Sequence, residues 1–87
     1  MVRCEVVFKG RVQGVGFRYT AREMARESGV TGWVKNSPDG SVSLLAEGES
    51  SEVEALIGRL KEQFSVRDCS VSRSAQALGF TDFNIEY

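Results

Sequence analysis

Residues 3–9 alternate in polarity: Cys4, Val6 and Phe8 share one face, and Arg3, Glu5, Val7 and Lys9 the other. That period of two predicts a strand. From Phe17 the period lengthens, so that Phe17, Ala21, Met24, Ala25 and Ser28 fall on one face of a predicted helix, with Gly29 as its natural stop. Residues 30–36 and 41–47 predict two strands joined by the tight turn Ser37-Pro38-Asp39-Gly40. Ser51-Glu52-Val53-Glu54 fits a capping box, and Val53, Leu56, Ile57, Leu60 and Phe64 behind it form the clearest amphipathic helix of the chain. After residue 66, Cys69, Val71 and Arg73 alternate with serines in a weaker strand. Phe83, Ile85 and Tyr87 alternate against Asp82, Asn84 and Glu86 in a short last one.

The order is therefore β-α-β-β-α-β with a short terminal strand. The compact solution is a ferredoxin-like α/β sandwich of the α+β class, two helices on one face of an antiparallel sheet, formed by residues 1–87 as a single domain. Right-handed crossovers place the first and fourth strands side by side and antiparallel. Cys4 begins one and Cys69 the other, so the two thiols are expected at opposite ends of that pair. At about 3.4 Å per strand residue they lie beyond disulfide reach.

Composition narrows the chemistry. Among 87 residues there is no histidine, so neither a Ser-His-Asp nor a Cys-His site can be built within the chain. Two cysteines without C-x-x-C spacing give no metal or redox motif, and no metal or cofactor is expected. The net charge of −1 argues against a general nucleic-acid partner. No apolar run reaches the ~18 residues of a membrane span, and charges interrupt any signal-peptide core, so a cytoplasmic protein without a membrane partner is expected. Nothing in the sequence demands more than a monomer. The charge is nevertheless segregated: residues 1–35 carry seven basic side chains against three acidic, and residues 36–87 carry four against nine.

The basic half contains Gly10-Arg11-Val12-Gln13-Gly14-Val15-Gly16-Phe17-Arg18, which runs from a strand through a glycine-rich loop into a helix. Such a loop can turn successive N–H groups toward an anion, and the helix start adds further unpaired donors. Arg18 in the first turn can offer a planar fork to two phosphate oxygens. The segment has neither the Walker lysine nor the G-x-G-x-x-G spacing, and glycines alone are equally served by a tight turn. Asn36 ends the second strand just before a turn that it can cap. Because that strand is expected parallel to the first, Asn36 also lies at the same sheet edge as the loop. Arg11 and Lys35 are nearby charges that either steer anions or sit solvated at strand edges.

Together, Val12-Gln13-Gly14-Val15-Gly16-Phe17-Arg18, Gly32-Trp33-Val34-Lys35-Asn36 and Asp39-Gly40-Ser41-Val42 closely resemble the acylphosphatase family, and the ending Phe80-x-x-Phe83-x-Ile85-x-Tyr87 is similar to that family's C-terminus. A related module opens a large hydrogenase-maturation carbamoyltransferase, and a chain of this length favours the free-standing enzyme. The resemblance implies hydrolysis of carboxyl-phosphate anhydrides by water, with no metal and no covalent intermediate. Its small-molecule partners are an acyl phosphate and inorganic phosphate. By that resemblance Arg18 is the phosphate-binding arginine, and Gln13, Gly14, Val15, Gly16, Phe17 and Arg18 supply the phosphate cradle through their backbone. Asn36 is the residue that holds the attacking water. On the residues alone, two non-enzymatic readings stay open: a ferredoxin-like RNA-binding module, and a module that senses an anion without turning it over.

Overall fold

The computed structural model describes all residues, Met1–Tyr87. Its elements are β1 (Val2–Arg11), α1 (Phe17–Ser28), β2 (Thr31–Asn36), β3 (Val42–Gly48), α2 (Ser50–Gln63), β4 (Ser65–Ser74) and β5 (Phe83–Glu86). They form one five-stranded sheet in the order β4-β1-β3-β2-β5. As expected from the crossovers, β1 pairs antiparallel with β4, and β3 pairs antiparallel with both β1 and β2. The sheet is not wholly antiparallel, because β5 adds to β2 in parallel. After β4 at one edge, residues 75–82 carry the chain to the opposite edge, and β5 then enters beside β2 running the same way.

Both helices cover one face. Cys4, Val6 and Phe8 of β1, Val34 of β2 and Val42, Leu44 and Ala46 of β3 point under them, as their period of two requires. From above, α1 contributes Phe17, Ala21, Met24 and Ala25, and α2 contributes Val53, Leu56 and Leu60. Phe17 packs between Phe8 and Phe64, with ring centroids 5.0 and 4.9 Å away and tilted planes. Such pairs add about 0.5–1.5 kcal/mol beyond the area they bury. They pin the first residue of α1 to the sheet.

Two local expectations change. The helix α2 starts a residue before the expected capping box: Glu49 is its N-cap, since the Val53 N–H already bonds the Glu49 carbonyl at 3.0 Å. Ser51 is then inside the first turn, and Glu54 instead accepts from the Ser50 hydroxyl at 3.1 Å. Cys69 does not begin β4 but pairs with Phe8, while Cys4 pairs with Arg73. The thiols are thus four rungs apart, about 14 Å at 3.4 Å per rung, and both are free.

On the other sheet face, Glu47 is 1% exposed. Its carboxylate accepts the N–H groups of Leu78, of Gly79 at 3.1 Å and of Phe80 at 3.3 Å. This buried charge ties the crossing segment to β3. At its far end Arg26 of α1 donates to the Phe83 carbonyl at 3.2 Å and to Asp82 and Asn84, each at 3.3 Å. The last strand is therefore clamped to α1 before it reaches Tyr87.

Candidate active site

The loop between β1 and α1 is shaped by two left-handed glycines. Gly14 has φ 72°, and Gly16, the N-cap of α1, has φ 81°. A side chain at either position would meet open space, so the constraint is conformational and not steric. With Gly16 as cap, no side chain bonds the first N–H groups of α1, and the first turn holds no acidic residue. The positive end of the helix dipole is left without a counter-charge from the chain. Arg18 stands in that same turn, where a cation is electrostatically disfavoured. Phe17, buried beside it, fixes which way the turn faces.

This end of the molecule holds a cavity of about 410 Å³. Gly14, Gly16, Phe17 and Arg18 line one side, and Asn36, from the end of β2, lines the other. The expected meeting of loop and strand end at one sheet edge is therefore present. Arg18 takes part in none of the four ion pairs. Its guanidinium lies 5.2 Å from the centroid of the Tyr87 ring, a cation–π contact that orients the fork without occupying its donors. Asn36 presents a buried Oδ1 that no donor of the chain reaches. Leaving such an acceptor unpaired costs about 1–3 kcal/mol.

The other expected residues divide. Val15 is 42% exposed and does not line the cavity, and neither does the Gln13 side chain. The Gln13 amide instead donates to the carbonyls of Ser37 and Ser41, both at 2.8 Å. It thereby ties the glycine loop to the turn that follows Asn36. That turn is closed further by Asp39, which accepts from the Ser41 N–H at 3.0 Å and the Ser41 hydroxyl at 2.6 Å. Those donors hold the Asp39 carboxyl below the usual carboxylate range. Arg11 and Lys35 do not reach the cavity; Lys35 borders a separate hollow with Trp33 and Glu86.

The sequence reading missed Val12, Tyr19, Arg22, Ile85 and Tyr87, which complete the lining. Arg22 carried a signal, since it follows Arg18 by four positions and so shares its helix face. Tyr87 carried none, because its place depends on β5 pairing with β2 and on the Arg26 clamp. Neither cysteine thiol is a candidate nucleophile: burial pushes both Cys4 and Cys69 up from the usual thiol range.

The arrangement offers unpaired N–H groups, two arginines, an asparagine amide and no acidic side chain, a set of groups suited to an anion. The family model described as Acylphosphatase matches residues 4–85. An acylphosphatase of Oceanobacillus iheyensis is 38% identical over 91 residues, covering 100% of both chains. A crystal structure of acylphosphatase from Bacillus subtilis superposes with a TM-score of 0.96 at 39% identity, again over 100% of both chains. A crystal structure of full-length HypF, in a phosphate- and nucleotide-bound form, matches with a TM-score of 0.87 at 27% identity; it covers 100% of this chain but 12% of the larger one.

Proposed function

The chain belongs to the acylphosphatase family, and from that premise we propose that Arg18 and the Gly14–Arg18 backbone bind the phosphoryl group while Asn36 holds the water that attacks it. The reaction is the hydrolysis of an acyl phosphate to a carboxylate and inorganic phosphate. No helix is long and apolar enough to cross a membrane.

The substrate explains why so little acid–base equipment is needed. A carboxylate leaves without being protonated, so a chain lacking histidine is under no handicap. What the protein must supply is charge stabilisation and aim. The Arg18 fork and the first-turn N–H groups meet the equatorial phosphoryl oxygens, where charge builds up in the transition state. Once turned to the cavity, the Asn36 amide oxygen accepts one O–H of the water, which leaves an oxygen lone pair free to approach phosphorus. A half-turn of the carboxamide exchanges its oxygen and nitrogen and can present either to the cavity. The second proton passes to a phosphoryl oxygen of the substrate, which is the strongest base within reach. Water attacks phosphorus directly, so no covalent intermediate enters the scheme.

The observation that carries this reading is that Asn36, whose Oδ1 finds no partner in the chain, lines the same cavity as Arg18. Its test is Asn36→Ala assayed with benzoyl phosphate. A water-holding residue acts on the transition state, so kcat falls by about 10²–10³ with KM little changed. A variant that keeps most of its kcat removes Asn36 from the mechanism.

A further inference from the structure

The cavity is larger than a phosphoryl group needs, and its second cation has no part in the scheme above. Arg22 lines the same cavity as Arg18, one helical turn further along α1. Four residues advance the helix by about 6 Å, so the two arginines leave the same face of α1 one turn apart.

Arg22 is held from two sides. Its guanidinium lies 5.1 Å from the centroid of the Tyr19 ring, and its Nε donates to Glu23 at 3.2 Å. Both contacts leave the Nη1 and Nη2 donors free. The ring contact and the Nε bond restrict the direction in which they point, and a pre-oriented fork loses less freedom on binding than a mobile lysine does. Glu23 is the only acidic partner and contributes little, because that pair is partly exposed and Glu23 does not line the cavity. Tyr19, Ile85 and Tyr87 supply an aromatic and apolar wall along the same cavity.

We propose that Arg22 forms a second anion subsite, and that the protein favours acyl phosphates whose acyl group carries its own negative charge a few atoms from the phosphoryl group. The inference rests on the placement of the phosphoryl group at Arg18. With the phosphoryl group there, the acyl group extends along the wall of Tyr19, Ile85 and Tyr87, and a carboxylate at its far end meets the Arg22 fork.

The test compares kcat/KM for benzoyl phosphate with that for 3-carboxybenzoyl and 4-carboxybenzoyl phosphate, whose rigid rings prevent the carboxylate from attacking its own anhydride. In the wild-type protein at low ionic strength, at least one carboxylated substrate is favoured by about tenfold, the effect of one partly exposed charge-assisted contact. In Arg22→Gln the ratio of carboxylated to plain substrate drops to about one, while Arg22→Lys, which keeps the charge, retains part of the preference. The preference also shrinks with added salt. Equal kcat/KM values in the wild type, or an undiminished ratio in Arg22→Gln, overturn the subsite. Arg18→Ala separates this failure from that of the primary site: if the phosphoryl group is not held at Arg18, that variant still turns over all three substrates.

Discussion

The two helices begin in opposite ways. At α2 the N-cap is Glu49 and the first turn holds Glu52, so the chain places its own negative charge at the positive end of the dipole. At α1 the N-cap is Gly16, the first turn has no acid, and Arg18 adds a positive charge where the dipole already disfavours one. Corresponding positions make the contrast plain: three residues after the cap stands Glu52 in one helix and Tyr19 in the other. One end is closed for stability. The other is left open, and it is the end that faces the cavity shared with Asn36. On the proposed placement of the phosphoryl group, an acyl phosphate would complete at α1 what Glu49 and Glu52 complete at α2.

The largest expected effect comes from removing the charge that the open end is built around. Arg18→Ala deletes two charged donors at once, so turnover of benzoyl phosphate falls by at least about 10²–10³. Inorganic phosphate should also cease to inhibit the enzyme or to raise its melting temperature. Undiminished protection by phosphate would show that the anion binds elsewhere. Because the positive end of α1 is then relieved of a like charge, the variant without ligand should be no less stable than the wild type.

Next in size is a test on a third charge, one that the chain closes itself. Glu47 is buried on the open face of the sheet and satisfies three N–H groups of residues 78–80. Glu47→Ala leaves those donors unpaired and costs about 1–3 kcal/mol of unfolding free energy, read from denaturant melts. With the crossing segment loosened, β5 and Tyr87 are less firmly placed, so KM rises while kcat holds. A loss confined to kcat would place Glu47 in the chemistry, contrary to its position on the far face.

Much of this architecture was legible in the sequence. The alternation of Cys4, Val6 and Phe8, the helical spacing from Phe17 and the glycines around Gln13 are local signals, and each led to the element found. The placement of Asn36 beside the loop followed from one topological rule, the parallel course of β1 and β2. What escaped was non-local. Glu47 reads as the exposed position of an alternating strand until residues 78–80 fold over it. Tyr87 reaches Arg18 only through the pairing of β5 with β2. The start of α2 slipped for a different reason: Ser51 is the serine with a glutamate three positions on and so fits a capping box, but the Glu49 carbonyl takes the first helical bond.

A smaller effect, in the opposite sense, comes from giving the open helix the closed helix's residue. Tyr19→Glu places a carboxylate at the position that Glu52 occupies in α2. It should compete with substrate for the same field and raise KM for benzoyl phosphate and the inhibition constant of phosphate by about tenfold, the effect of roughly 1.4 kcal/mol. Salt should narrow the difference from the wild type. Unchanged affinity for phosphate would mean that the dipole of α1 contributes nothing to binding, and the contrast between the two helix ends would lose its functional meaning.

The reciprocal change at the closed end is the gentlest and isolates stability from function. Glu52 is exposed and distant from the cavity lining, so Glu52→Gln removes a charge without removing packing. The loss should be about 0.3–1 kcal/mol at low ionic strength, a shift of a few degrees in melting temperature for a domain of this size. Raising the salt concentration should erase it, because the interaction lies at the surface and within screening reach. Neither kcat nor KM should move, since α2 reaches the reaction only through the core residues Val53, Leu56 and Leu60, which stay in place. A kinetic change in Glu52→Gln would show that the field of the second helix reaches the substrate. Charge closure at α2 would then belong to catalysis as well as to folding.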